Sequence, residues 1–135
     1  MGMERILVVD DELIVAKDIQ TKLIKFGYDV PAFASSGEKA LKITERMQPQ
    51  PDLVLMDIKL GGKKDGVEIA QQFRDRFNIP VVYVTAYTDE KILEQAMKTE
   101  PLGYLVKPFE TRELYSTIKL AMYKQKMEKQ LTDRE

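Results

Sequence analysis

Three aspartates, a threonine and a lysine stand at the ends of apolar runs, where a buried strand does not tolerate an unpaired polar group. Ile6-Leu7-Val8-Val9 runs into Asp10-Asp11, and Leu53-Val54-Leu55-Met56 runs into Asp57. Val81-Val82-Tyr83-Val84 runs into Thr85, and Tyr104-Leu105-Val106 runs into Lys107. Two carboxylates about 4 Å apart repel by about 4 kcal/mol at an effective dielectric near 20. Three in one cleft raise one another's pKa unless a cation neutralises them. The chain has no histidine and no cysteine, so the cation must be held by oxygen, and a hard ion such as Mg²⁺ fits. The same absence removes histidine acid–base chemistry, histidine metal ligation, disulfides and thiolate zinc sites. Asp57 ends the most apolar run. A carboxylate there can ligate the metal and also attack phosphorus, giving an acyl phosphate. Lys107 and the Thr85 hydroxyl can then serve two further phosphoryl oxygens, since phosphoryl transfer needs mainly positioning and charge neutralisation.

Each residue also has a plainer reading. Asp10 or Asp11 alone could cap the following helix. Lysine before proline at a strand end is often only solvated, and threonine is common in strands. What favours a site is the placement of all of them at four separate strand ends.

That placement requires particular elements. Apolar runs of this length, separated by helix-length segments, read as strands buried on both faces of a parallel sheet. All strand C-termini then share one edge, where open α/β sheets bind ligands. Between the strands, Leu13, Ala16, Ile19, Leu23 and Phe26 space an amphipathic helix over residues 12–26, ended by Gly27. Residues 28–34 form a weaker strand, and Pro31 puts it near an edge. Ser35 with Glu38 is a capping-box pattern for a helix running to about Met47. Helices are expected from Val67 to Phe77, from Glu90 to Lys98 with Thr88-Asp89 as its cap, and from Thr111 onward. The fold class is therefore α/β: a doubly wound five-stranded parallel sheet with helices on both faces and an extended C-terminal helix.

At 135 residues the chain is long enough for one domain with a sizeable core. A formal net charge of −1 gives no global attraction to nucleic acid or to anionic membrane. No apolar stretch has the length of a membrane span and no signal peptide is visible, so a cytoplasmic setting is expected.

On the last helix, Leu114, Ile118 and Ala121 or Met122 can cover the sheet. Residues 124–135 turn mostly polar and would project roughly 18 Å if helical. That leaves a frayed tail, a connector to a further domain, or a short dimer seam through Tyr123, Met127 and Leu131. So few apolar positions do not make a stable coiled coil by themselves.

The set Ile6 to Glu12, Asp57 after its apolar run, Thr85-Ala86 and Lys107-Pro108-Phe109 resembles the receiver domain of two-component response regulators, a flavodoxin-like fold. The match covers residues 5 to about 123, which makes 1–123 the receiver and 124–135 a helical extension or linker. The resemblance implies a signalling phospho-acceptor rather than a conventional enzyme, one that assists its own phosphorylation and dephosphorylation. Asp57 would take a phosphoryl group from the phosphohistidine of a histidine kinase or histidine phosphotransfer protein. Mg²⁺ (or Mn²⁺) would be held by Asp10, Asp11, Asp57 and the backbone carbonyl of Lys59. A cis peptide at Lys107-Pro108 would aim the ammonium into the site. Thr85 would move toward the new phosphate and Tyr104 would turn inward, switching the face formed by the helix from Glu90, the last strand and the helix from Thr111. A homodimer through that face or through the C-terminal helix is left open. No direct contact with nucleic acid is expected, because nothing after residue 123 fits a helix-turn-helix.

The loop Lys59 to Gly66 is longer and more basic than is usual in receivers. Tyr87 is bulky enough to shield an acyl phosphate from water. The competing assignments are a haloacid-dehalogenase-type phosphatase and a vestigial receiver acting as a pure interaction module. In the former the nucleophile sits in a DxD pattern at the first strand, and Asp10-Asp11-Glu12 has the wrong spacing for it.

Overall fold

The computed structural model describes residues 3–59, 66–86 and 90–134. Strand β1 (Ile6–Val9) leads to helix α1 (Leu13–Lys25), β2 (Phe33–Ala34), α2 (Gly37–Arg46) and β3 (Leu53–Asp57). Helix α3 (Gly66–Gln72) continues into a π-helical turn (Phe73–Phe77), followed by β4 (Val81–Thr85), α4 (Glu90–Met97), β5 (Gly103–Val106) and α5 (Thr111–Arg134). All strand pairs are parallel, in the order β2-β1-β3-β4-β5. This is the doubly wound sheet that the alternating pattern implies.

Side-chain alternation along each strand divides the core into two layers. Ile6, Val8, Leu53, Leu55, Val82 and Val84 pack with Ala16, Ile19 and Leu23 of α1 and Leu114, Ile118, Ala121 and Met122 of α5. Leu7, Val9, Val54, Met56, Val81 and Tyr83 pack on the other face with residues of α2, α3 and α4. Strands β1, β3 and β4 are buried throughout.

Several expectations are corrected. On β5, Tyr104 is 45% and Val106 40% exposed, because this strand lies at the sheet edge and is only half covered. The strand expected over 28–34 pairs regularly only at Phe33–Ala34, with an isolated bridge from Asp29 to Arg5. Pro31 lies between them without an N–H to donate, and β2 is indeed an edge strand. Leu13 is 57% exposed rather than in the core stripe. At about 100° per residue it sits roughly 90° from the centre of the stripe formed by Ala16, Ile19 and Leu23. The cap of α2 is Ser36, whose hydroxyl accepts the Lys39 N–H at 3.2 Å, and not Ser35. Glu38 is then one position too early for a capping box.

Helix α5 remains helical through Arg134 and, at 24 residues, is about 36 Å long. Its outer residues Tyr123, Met127 and Leu131 are exposed, but Gln125 is buried. The part beyond Tyr123 is thus still partly packed where it leaves the sheet. Gln125 and Lys129 line a cleft of about 320 Å³ with Asp52, Asn78 and Ile79, at the N-terminal ends of β3 and β4.

Gly66 begins α3 against the end of β3, and its N–H donates to the Ile58 carbonyl at 2.9 Å. A Cβ there would lie 2.5 Å from the Asp57 carbonyl oxygen and 2.7 Å from that of Ile58. Backbone atoms cannot step aside as a side-chain tip can. Gly66→Ala is therefore expected to lower the unfolding free energy by about 1–3 kcal/mol, measured by urea titration. An unchanged midpoint would show that the α3 start is free to shift.

Candidate functional site

The strand register brings the four polar ends together. Val9 pairs with Met56, Asp57 with Val84, and Thr85 with Val106. In a parallel sheet this sets Asp10 and Asp57 at one level of the C-terminal edge, with Thr85 one residue and Lys107 two residues beyond that level, and β3 between β1 and β4. Asp10 is 1%, Asp57 7% and Thr85 4% exposed.

Lys107 closes the arrangement. Its ammonium donates to Asp10 Oδ2 at 3.0 Å and to Asp57 Oδ2 at 3.3 Å. Its backbone N–H donates to the Thr85 carbonyl at 2.7 Å, which ties the β5 end to β4. The Lys107-Pro108 peptide is cis, as the resemblance implies, and so is Gln48-Pro49, which no sequence feature singled out. The remaining oxygens of the two aspartates accept backbone N–H groups. Glu12 donates to Asp10 Oδ1 at 2.9 Å, and Lys59 donates to Asp57 Oδ1 at 3.0 Å. Both carboxylates are thus oriented by the turn that follows their own strand.

Burial raises the Asp57 pKa above the ordinary carboxylate range, and the charge of Asp10 adds to the effect. Lys107 and the Lys59 N–H oppose it but do not cancel it. For Lys107, burial alone would lower the pKa. The hydrogen bond to Asp10 and the charges of both aspartates overcome this, so the ammonium is held above its usual value.

Asp11 is exposed beside Asp10. The carboxylate oxygens of Asp10, Asp11 and Glu12 lie within 4.8 Å of one another. Glu12 was not among the expected ligands, although it directly follows Asp10-Asp11. Asp57 joins these acids through the shared ammonium. Among the described residues, the Lys107 ammonium thus meets a concentration of carboxylates whose ligand atoms are all oxygens. This set suits a hard divalent cation and no softer one. Tyr104 is not drawn into the site, and its ring is on the half-exposed edge strand. Tyr87, the Thr88-Asp89 cap and residues 60–65 of the long basic loop lie outside the described residues.

Residues 6–119 match the family model described as response regulator receiver domain. The chain belongs to the response regulator receiver family. Receivers are the phospho-accepting signalling domains of two-component systems; they typically bind Mg²⁺ through an acidic cluster and interact with histidine kinases. The transcriptional regulatory protein PdtaR of Mycobacterium tuberculosis (strain CDC 1551 / Oshkosh) is 32% identical over 118 residues, which are 87% of this chain and 56% of that protein. The chain spans about half the length of the curated relatives it matches. Among solved structures, the signal receiver domain of a modulated diguanylate cyclase from Desulfovibrio desulfuricans G20 is 32% identical with a TM-score of 0.85, covering 94% of this chain and 99% of that one. A CheY-like receiver from Methanospirillum hungatei JF-1 is 26% identical with a TM-score of 0.84, at the same coverage. No described helix of this receiver is long and apolar enough to cross a membrane.

Two outcomes follow from the electrostatics. A ligand that binds only the folded state stabilises it by about 2.7 kcal/mol at a hundredfold excess over Kd. Mg²⁺ is therefore expected to raise the Tm of this receiver. Asp11→Asn, at an exposed position, should abolish most of that rise and leave the metal-free Tm nearly unchanged. An equal Mg²⁺ shift in both proteins would remove Asp11 from the cation site. The second outcome concerns pH in EDTA. A carboxyl with a raised folded-state pKa holds its proton longer in the folded chain than in the unfolded one. Its contribution to stability thus falls as pH rises from the ordinary carboxylate range to the folded-state pKa. The stability difference between Asp57→Asn and wild type, from denaturation across that window, should grow in favour of the variant as pH rises. A flat difference would mean that Lys107 fully compensates the burial of Asp57.

Proposed function

We propose that Asp57 is the phospho-acceptor of a two-component phosphorelay, taking its phosphoryl group from the phosphohistidine of a histidine kinase or a histidine phosphotransfer protein. The observation that carries this reading is the Lys107 ammonium hydrogen-bonded to both Asp10 and Asp57 at one sheet edge. In the step, an Asp57 carboxylate oxygen attacks phosphorus. The new P–O bond forms as the P–N bond breaks, and the imidazole leaves with the electron pair. Lys107, already on Asp57 Oδ2, turns to a phosphoryl oxygen of the product. The Thr85 hydroxyl, at the neighbouring strand end, takes another. Mg²⁺ or Mn²⁺, held by Asp10, Asp11, Asp57 and the Lys59 carbonyl, would neutralise charge on the phosphoryl group. Glu12 lies close enough to that acid group to act through a bound water.

Thr85 is also the proposed switch, with Tyr104 following it inward. Tyr104 is 45% exposed and so has surface left to bury. The responding face would be α4, β5 and α5, which hold the half-exposed strand and the least buried of the sheet-packed helices. We read residues 1–123 as the receiver and 124–135 as a helical extension of α5.

Incubation with acetyl phosphate and Mg²⁺, followed by intact mass measurement, tests the reading. Wild type should gain one phosphoryl group. Asp57→Asn should gain none, and Lys107→Ala markedly less than wild type, because a positioned cation is lost. An unmodified wild type would favour a vestigial receiver that acts only as an interaction module. Steady turnover of phosphomonoesters would favour a phosphatase. If Tyr87 shields the product, Tyr87→Ala should shorten the lifetime of the aspartyl phosphate, and an unchanged decay rate would dismiss that role.

A further inference from the structure

A buried hydroxyl pair lies outside the site, between β4 and the turn after α4. The Tyr83 hydroxyl is 2.7 Å from Thr99 Oγ1, and both residues are buried. Thr99 Oγ1 also donates to the Ala96 carbonyl at 2.6 Å. That uses the only proton of the threonine, so Tyr83 is the donor to Thr99. A third group meets Thr99 from the π-helical turn after α3: Arg74 Nε donates to the Thr99 carbonyl at 3.1 Å, and its guanidinium also bonds the Glu100 carbonyl. Thr99 is thus a junction of the sheet, α4 and the π-helical turn after α3.

Helix α4 is thinly buried. Ala96 is its one buried residue, Ile92 and Leu93 are half-buried, and the other described residues are exposed. Ala96 and Thr99 lie at the same end of the helix. Tyr83 is two residues before Thr85 and, by strand alternation, points to the same sheet face, the one that α4 covers.

We propose that Thr99 is a positioning residue, the fixed point about which α4 turns, and that the Tyr83 hydroxyl links the Thr85 end of β4 to it. The coupling half of this proposal rests on the phospho-acceptor reading above. It is separate from the turning of Tyr104, which sits on β5 and makes no part of the junction. The loss of a buried hydrogen bond speeds local opening about fivefold or more.

Hydrogen exchange read by mass spectrometry tests both halves. In unphosphorylated protein, Tyr83→Phe and Thr99→Val should each speed exchange over residues 94–100 by about that factor. The double variant should be no faster than the faster single one, and Thr99→Ser should behave as wild type. With acetyl phosphate and Mg²⁺, Tyr83→Phe should gain the same phosphoryl mass as wild type but lose at least half of the phosphorylation-induced change in α4 exchange. Wild-type exchange over residues 94–100 in both single variants overturns the anchor. An undiminished phosphorylation response in Tyr83→Phe overturns the coupling. Failure of wild type to accept the phosphoryl group overturns the phospho-acceptor reading and the coupling together, and the unphosphorylated comparison then still decides whether Thr99 anchors the helix.

Discussion

The ammonium of Lys107 between the carboxylates of Asp10 and Asp57 is the interaction on which the rest of this receiver depends. Two acids buried side by side are costly, and removing one partner of such a group leaves an uncompensated charge. Among the described residues Lys107 is the cation seen on both aspartates, and Asp11 and Glu12 lie close by. Burial keeps Asp57 reluctant to ionise even with Lys107 attached. Such a group of carboxylates suits a hard divalent cation.

The scaffold holds this strain by uneven packing. Strands β1, β3 and β4, which carry Asp10, Asp57 and Thr85, are buried along their whole length. The backbone N–H groups of Glu12 and Lys59 fix the two carboxylates from turns that cannot move without those strands. Gly66 lets α3 start in contact with the end of β3, where any side chain would push it away. On the far side the packing thins. β5 is half exposed, and α4 buries one residue. Local stability follows burial, so Asp57 sits in the most tightly packed part of the sheet and the thinly packed elements lie beside it. Thr85 and Lys107 stand at the boundary, joined by a backbone hydrogen bond between β4 and β5.

Much of this was legible in the residues themselves. Apolar runs ending in Asp10, Asp57, Thr85 and Lys107 specify parallel strands, buried throughout in the first three, and such strands must end on one edge. The pattern therefore contained both the fold and the gathering of those four residues at one sheet edge. The edge position of β2 followed from Pro31, which has no N–H to give a second neighbour. Where local signals were nearly equivalent, the reading failed. Ser35 and Ser36 both can cap a helix, and only the path of the chain into α2 selected Ser36. Leu13 fits the α1 spacing loosely, and the direction of the sheet left it in solvent.

Residue types and their order thus determined the layering, the sheet and the identities of the charged groups, because burial and hydrogen bonding restrict where such residues can go. Tertiary structure alone decided which oxygen meets which nitrogen. It gave Lys107 to two aspartates at once, brought Glu12 into the acid group, left Tyr104 at a half-covered edge, and joined Tyr83 to Thr99 across sixteen residues of chain. These outcomes depend on distances of a few tenths of an ångström between elements far apart in sequence. No local pattern encodes such distances, and packing sets them only once the whole core has formed.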